Sequence, residues 1–376
     1  ASVGCLHIRP LIDTRSRDDL ARMETILDEV AALVSEFGGS MSGEHGDGLA
    51  RSFLNERLYG PAIYGAFQRV KRLFDPAGIL NPGKVVNGPP PTEHLRHPPE
   101  QTTLDVETTF DFSKQGGFAT AAELCNGSGL CRKLRGGTMC PSFMATRDEE
   151  HSTRGRANAL RLVLDGVVPR ERMVSPRLYD TFELCLGCKA CKAECPSNVD
   201  VAKLKSEWLH HYYAHHGLPR SARMLAQPGK LNALGAALAP ASNWLARMPG
   251  AAAIQQWLLG IDRRRPAPTF ERNHFRRWFA ARAKPSTAAS RGPIVLLDDC
   301  LTSFLDAGVN RAAVSVLEAA GYEVHVAGIQ CCGRAAISNG VLDVARELAR
   351  DPLDRLLPWA KQGVPLVGCE PRCLLT

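Results

Sequence analysis

Residues 185–196 read Cys-Leu-Gly-Cys-Lys-Ala-Cys-Lys-Ala-Glu-Cys-Pro, and no other stretch constrains the chain as tightly. The C-x2-C-x2-C-x3-C-P spacing is one that holds a cubane iron–sulphur (4Fe-4S) cluster. So short a loop aims the thiolates of Cys185, Cys188 and Cys191 at one small volume. Cys195, turned by Pro196, points away toward a second cluster. Zinc sites present two cysteine pairs separated by a long knuckle, which this run lacks. Disulfides need an oxidising compartment and well-separated partners.

Upstream lies a partial copy. Cys125, Cys131 and Cys140-Pro141 follow the same order, with a longer gap before the final Cys-Pro. Ser128 stands where the second cysteine would fall. Exchange of the fourth ligand between the copies predicts two sites. One is Cys185, Cys188, Cys191 and Cys140; the other is Cys125, Cys131 and Cys195, one thiolate short. The short site has three open readings: a three-iron cluster, a four-iron cluster completed by Ser128, water or another group, or an empty, degenerate site.

At 376 residues the chain has room for two or three domains, and 44% hydrophobic residues suffice for their cores. The surplus of 46 basic over 39 acidic residues is modest, and Arg263–Arg265 and Arg276-Arg277 are short runs. They read as solvated faces, so no nucleic-acid partner is expected. Thirteen cysteines, mostly clustered, indicate a reducing, cytoplasmic compartment. No apolar run reaches the roughly 18 residues that span a bilayer. At most a peripheral association with the inner face of the cell membrane is expected. No signal peptide is visible. The chain opens on Ala1 without Met and stops just after a cysteine-bearing turn, so it reads as an internal piece of a longer polypeptide.

Apolar periodicity predicts a helix over 18–37 through Leu20, Met23, Leu27, Val30, Val34 and Phe37, ended by Gly38-Gly39. A second helix over 60–74 carries Ile63, Phe67, Val70 and Phe74, stopped by Asp75-Pro76. Between them lies Ser42-Gly43-Glu44-His45-Gly46-Asp47-Gly48, whose glycines let the backbone approach a ligand closely. Asn81-Pro82-Gly83-Lys84 turns into a Val-Val strand end, and the Pro- and His-rich stretch 87–101 reads as a linker. Residues 201–216 predict a helix whose His210, His211, His215 and His216 read as a solvated face rather than as metal or haem ligands. Residues 230–262 predict short helices, with Trp244 and Trp257 packed in a core rather than on a membrane or quinone. From 293 onward strands at 294–297, 322–326 and 364–367 alternate with helices at 312–320 and 340–350, the mark of a parallel α/β unit.

Three segments in order, Gly4-Cys5-Leu6-His7-Ile8-Arg9-Pro10, the Ser42–Gly48 turn and Asn81-Pro82-Gly83-Lys84, resemble the C-terminal part of the FAD-linked 2-hydroxy-acid oxidases. This is the family of D-lactate dehydrogenases, glycolate oxidase flavin subunits and D-2-hydroxyglutarate dehydrogenases, with the vanillyl-alcohol-oxidase type of flavin fold. The resemblance covers about 1–88. Met139-Cys140-Pro141-Ser142 and His151-Ser152-Thr153-Arg154-Gly155-Arg156 are similar to members with a fused iron–sulphur half. The resemblance implies His45 as the base that takes the 2-hydroxyl proton while C2 gives hydride to the flavin. It implies Glu44 and His7 as ligands of a divalent metal (Zn, Mn or Fe), with a further His expected just before Ala1. Arg9 would face the substrate carboxylate. Asn81 and Lys84 would line the flavin pocket or only form the turn that ends the domain. The FAD-binding domain would lie upstream, and without it the fragment is expected to be inactive.

Cys331-Cys332-Gly333 lies between Cys300 and the Cys369-x3-Cys373 pair. The set resembles one copy of the cysteine-rich CCG domain of heterodisulfide reductase and the glycolate oxidase iron–sulphur subunit. It implies a second redox site at Cys300, Cys331, Cys332, Cys369 and Cys373; a structural domain with buried thiols is the alternative.

The expected architecture is an α+β multidomain chain. Residues 1–88 form the end of a flavin-oxidase cap or C-terminal domain, and 89–118 a linker. A helical two-cluster ferredoxin-like module follows over 119–285, then an incomplete parallel α/β CCG domain over 290–376. The expected function is oxidation of a D-2-hydroxy acid, with electrons relayed to a quinone or cytochrome. A non-catalytic electron-transfer subunit and a heterodisulfide-reductase-like enzyme are the alternatives.

Overall fold

The computed structural model describes residues 9–283 and 291–375. The chain divides into two compact units, 1–103 and 104–376. Among the described residues no helix is long and apolar enough to cross a membrane.

In the first unit the helix Arg17–Glu36 starts at Ser16, whose side chain accepts from the Asp19 amide. Asp18 and Asp19 in its first turn complement the helix dipole. The next long helix, Asn55–Phe74, is kinked at Gly60-Pro61, with Gly60 at φ 74°. Its buried residues are Asn55 and Tyr64, whereas the expected apolar stripe is largely open, Val70 being 54% and Phe74 80% exposed. The stripe exists, but among the described residues Ile63, Val70 and Phe74 are left exposed. The strand end expected at Val85-Val86 does not form. Val85 takes φ 68° and the Asn87 amide donates to the Tyr64 hydroxyl at 2.8 Å, so this segment folds back as a turn.

The second unit begins inside the expected linker. The Leu104 amide donates to the Leu164 carbonyl at 2.7 Å, and the buried Glu207 carboxylate accepts from the amides of Thr109 and Phe110 at 2.8 and 2.9 Å. Residues 104–118 therefore pack on the helical module. Its core is built by helices Thr153–Leu164, Pro176–Glu183 and Val201–His216, with Phe182 stacked on Trp208 at 4.9 Å. Of the four histidines, His211 is half-buried against Glu207, while His215 and His216 are exposed.

Helices Pro228–Ala237, Ala241–Ala246 and Ala251–Leu259 occupy the stretch that follows. The sequence reading puts Trp244 and Trp257 in a core; they are instead 65% and 82% exposed. These helices pack by small side chains, as where Gly235 abuts the Phe270 ring, and the large ones are left outside.

The C-terminal part is a three-stranded parallel sheet of β1 Pro293–Leu297, β2 Glu323–Val326 and β3 Leu366–Gly368. The order is β2-β1-β3, with Val295 opposite both His325 and Leu366. Both faces of β1 are covered: Ile294 and Leu296 pack with Phe275 and Val314, Val295 and Leu297 with Ala327 and Ile329. This is why the strand reads as a continuous apolar run. Helix Leu342–Lys361 runs on well past its expected end despite Pro352 and Pro358. The expected boundary between module and sheet, 285–290, falls on 284–290, outside the described residues.

Candidate iron–sulphur centres and flavin-side turn

Cys140, Cys185, Cys188 and Cys191 line one pocket of about 330 Å3. Cys125, Cys131 and Cys195 line a second of about 270 Å3, together with Ser128. Met139 and Thr153 line both, so the pockets share a wall. Among the described residues no three of these cysteines bring their sulphurs within 4.8 Å of one another. A tetrahedral zinc with bonds of ~2.3 Å would draw four sulphurs to within about 4 Å. The wider donor sets suit a polynuclear iron–sulphur core.

A distant residue brings Cys140 to the 185–191 loop. Glu194, on the short helix Ala190–Glu194, accepts from the amides of Thr138 and Met139 at 2.7 and 3.2 Å and ion-pairs with Lys133. The segment before Cys140 is thereby tied to the loop whose site it completes. The start of helix Thr153–Leu164 then serves both pockets. Ser152 caps it, accepting from the Gly155 amide at 2.9 Å. A Cβ at Gly155 would lie 2.1 Å from the Glu149 carbonyl oxygen, so only glycine allows the close approach. The Arg154 amide donates to Cys131 Sγ at 3.4 Å. The Arg156 side chain, 1% exposed, donates to Cys140 Sγ at 3.6 Å, Ser142 Oγ at 2.9 Å, the His151 carbonyl at 2.7 Å and the Thr181 carbonyl at 2.9 Å. The resemblance had singled out this segment as a motif without saying what its arginines touch.

Burial pushes the Cys191 thiol up to about 12, against the amides of Val201 and Ala202 at the start of the next helix. Burial also raises Cys131, opposed by the Arg154 amide and the Ser152 hydroxyl. Cys140 goes the other way: burial raises it, but the Ser142 hydroxyl, the Phe143 amide and the Arg156 charge outweigh burial. Protons held at Cys131 and Cys191 must leave when a cluster is inserted.

The thiols of the C-terminal domain meet at the carboxyl edge of the parallel sheet, where α/β folds bind ligands. Cys300 follows β1 on a short helix capped by Asp299, which accepts from the Leu301 and Thr302 amides. The Cys300 and Cys332 thiols donate to Cys331, which is held well below the ordinary thiol value, while Cys300 and Cys332 are pushed up. Cys373 interacts with Cys332. The amide of Gly229, in the first turn of helix Pro228–Ala237, also supports Cys331, and Asn232 Nδ2 donates to the Cys300 carbonyl at 3.1 Å. Nothing in the sequence marks Gly229 and Asn232, which belong to a different part of the chain. Cys369 packs against the buried cluster of Phe275, Ile294 and Leu296, and burial and the Asp299 carboxylate raise its thiol.

On the flavin side, His7 lies outside the described residues and Arg9 is exposed. Glu44 is mostly covered, its Oε2 3.8 Å from Nε2 of the exposed His45. Asn55 joins two of the expected segments, its Nδ2 donating to Asp47 Oδ2 at 3.1 Å and to the Val85 carbonyl at 2.9 Å. Ser52 Oγ accepts from the Val85 amide at 2.7 Å. A Cβ at Gly88 would lie 2.6 Å from Ser52 Cβ, so the closing turn docks only with glycine there. Asn81 takes φ 48° and Asn81 Oδ1 accepts from Lys84 Nζ at 3.4 Å, a contact within the turn itself.

Comparison with known proteins agrees with this layout. Residues 1–85 match the C-terminal domain of FAD-linked oxidases, 124–200 a 4Fe-4S dicluster domain and 294–376 a cysteine-rich domain. The chain is 29% identical over 416 residues to a D-2-hydroxyglutarate dehydrogenase of Pseudomonas putida, covering 99% of this chain and 41% of that protein. It is 27% identical to the D-2-hydroxyglutarate dehydrogenase of Escherichia coli, covering 99% of this chain and 40% of that protein. A probable glycolate oxidase iron–sulphur subunit of Bacillus subtilis is 25% identical over 56% of this chain and 50% of its own. The chain thus spans about two fifths of the length of the curated dehydrogenases it matches. No solved structure matches it. The chain carries, in order, matches to the C-terminal domain of FAD-linked oxidases, to a 4Fe-4S dicluster domain and to a cysteine-rich domain, and its similarity to the dehydrogenases runs through all three.

Proposed function

We propose that this chain is part of an FAD- and iron–sulphur-dependent dehydrogenase. It would oxidise a D-2-hydroxy acid (D-lactate, glycolate or D-2-hydroxyglutarate) to the 2-oxo acid and relay electrons to a quinone or cytochrome. One observation carries the relay: two cysteine pockets share a wall within a unit that also gathers the Cys300, Cys331, Cys332 and Cys373 thiols. The pockets would hold two clusters, ligated by Cys140, Cys185, Cys188 and Cys191, and by Cys125, Cys131 and Cys195 with Ser128 alongside. The dehydrogenases it is similar to supply the substrate class.

FAD, bound mainly by a domain upstream in the same polypeptide, would supply the two-electron chemistry. The residues of this chain would position and deprotonate. His45, solvent-facing beside Glu44, would accept the 2-hydroxyl proton. Glu44 and His7 would contribute ligands to a divalent cation, and Arg9 would pair with the substrate carboxylate. Asn81 would line the flavin pocket on the turn that Asn55 and Ser52 hold in place. Work in the reducing cytoplasm, at most peripheral on the membrane, would suit cysteines kept as free thiols for cluster binding.

The test uses the full-length protein purified without oxygen. Iron and acid-labile sulphide are measured per chain, with EPR spectra before and after dithionite. About eight irons are expected for two four-iron clusters. About four would empty the Ser128-side pocket, and zinc in place of iron would overturn the relay. Turnover of the three acids with a dye acceptor then identifies the substrate. His45→Ala is expected to lower turnover by roughly 10²–10⁴-fold with iron content unchanged. Turnover within a few-fold of the parent would refute the base assignment.

A further inference from the structure

A cleft of about 770 Å3 opens between the Cys185–Cys191 loop and the helix Arg334–Ser338, which follows Cys331-Cys332. The two sides come close, since a Cβ at Gly187 would lie 3.6 Å from Ser338 Oγ. Lys189, Lys192, Lys203 and Lys205 line the cleft from the cysteine-loop side and Arg334 from the other. Against these five cations the lining holds a single carboxylate, Asp200. Asp200 is already engaged, accepting from the Lys203 amide at 3.0 Å and facing Lys192 Nζ at 3.9 Å. Among the described residues the ion pair of the lining cations is that of Lys192 with Asp200. Lys205 donates to the Cys185 carbonyl at 2.7 Å and keeps further N–H donors for another acceptor. Phe110 and Ile337 add apolar wall.

Cations converging on one space from two parts of a fold repel one another unless an anion lies between them. The space is larger than a single monatomic ion requires, and its donors are spread round a rim with apolar wall between. A molecule with acidic groups at separated points fits that description. We propose that this cleft is a binding site for a small polyanion carrying two or more carboxylate or phosphate groups, held by Lys192, Lys205 and Arg334 beside the Cys185–Cys188 loop. This rests on the proposed cluster at Cys140, Cys185, Cys188 and Cys191 only for its redox consequence. Negative charge bound there favours the oxidised cluster, because cluster potential follows local charge. The ligand would therefore set how readily that cluster takes an electron on the path to the Cys300 and Cys331 thiols.

The full-length, cluster-loaded protein is titrated by calorimetry with pyrophosphate and, separately, with glutarate. The midpoint potential of the cluster is read by EPR-monitored titration with and without each probe. Saturable binding of at least one probe is expected, with the potential shifting downward. Arg334→Gln and Lys192→Gln should each weaken binding about ten-fold, the loss of one charge-assisted contact, at unchanged iron content. Arg247→Gln, outside the cleft, should leave binding unchanged. Preference for pyrophosphate or for glutarate distinguishes a phosphate-bearing from a dicarboxylate ligand. If neither probe binds, the proposal fails. Variants that shift the potential of a protein with no affinity for either probe would show that the cations only balance the cluster charge. Iron content, measured in the same samples, separates failure of this site from failure of the cluster assignment.

Discussion

The two cysteine pockets are built from the same parts to different completeness. The first gathers four thiols, and the fully buried Arg156 spans Cys140, Ser142 and two carbonyls beside it. The second gathers three thiols and Ser128. Its arginine, Arg154, contributes a backbone N–H to sulphur and sends its side chain to the half-exposed Glu149, at 2.7 Å, and to the Gly127 carbonyl. Two arginines two residues apart on one helix start thus play unequal parts, because one side chain turns inward and the other lies at the surface. The difference teaches that a cluster site is defined by its supporting shell as much as by its ligands.

The largest test of the contrast is ligand removal. Cys188→Ala should take the iron of the first pocket, about four atoms per chain, and spare the second. Cys195→Ala should do the reverse, although Cys195 is only seven positions from Cys188 in sequence. Loss of first-pocket iron from the Cys195 variant, assigned by EPR, would disprove the ligand exchange. Next in size are the arginines. Arg156→Met leaves buried acceptors unpaired and should cost about 3 kcal/mol in chemical denaturation, whereas Arg154→Met, removing a surface pair, should cost about 1 kcal/mol or less. Equal costs would erase the asymmetry. Ser128→Cys should slow iron loss from the second pocket to a chelator; an unchanged rate would mean that Ser128 does not face the cluster. The smallest effect is on pH. The Arg154 guanidinium holds Glu149 below its ordinary 4.5. The support Glu149 provides is therefore complete above that value and is lost as pH falls through the lower native one. Parent and Glu149→Gln should differ slightly in stability near pH 7 and converge only as pH falls below the lowered native value of Glu149. No such convergence is expected for Arg156→Met, whose lost contacts do not titrate.

Much of this was legible in the chain because it is local. Cysteine spacing set the loop at 185–191, and Ser152, Asp200 and Ser16 mark helix starts by side chains that reach amides only two or three residues ahead. The central strand β1 was legible because burial on both faces makes it a continuous apolar run. What misled was apolar character read without its partner. Trp244, Trp257 and the Ile63–Phe74 stripe are apolar by pattern yet face outward, since periodicity tells which residues share a face and not what covers it. Val85-Val86 reads as a strand by propensity, but the Val85 amide donating to Ser52, the Val85 carbonyl accepting from Asn55 and the Asn87 amide donating to Tyr64 make the segment a turn.

The sequence alone determined the ligand chemistry: which cysteines exist, their spacing, and the deficit at Ser128. Spacing within a dozen residues restricts a chain enough to define a loop. Only the tertiary structure decided which groups surround each set. Glu194 tying down residues 138–139, Arg156 reaching Cys140 and Gly229 approaching Cys331 are contacts between residues far apart in the chain, and Arg334 and Lys192 come to line one cleft. Such contacts form where packed helices and strand ends converge, and no local pattern encodes the meeting point.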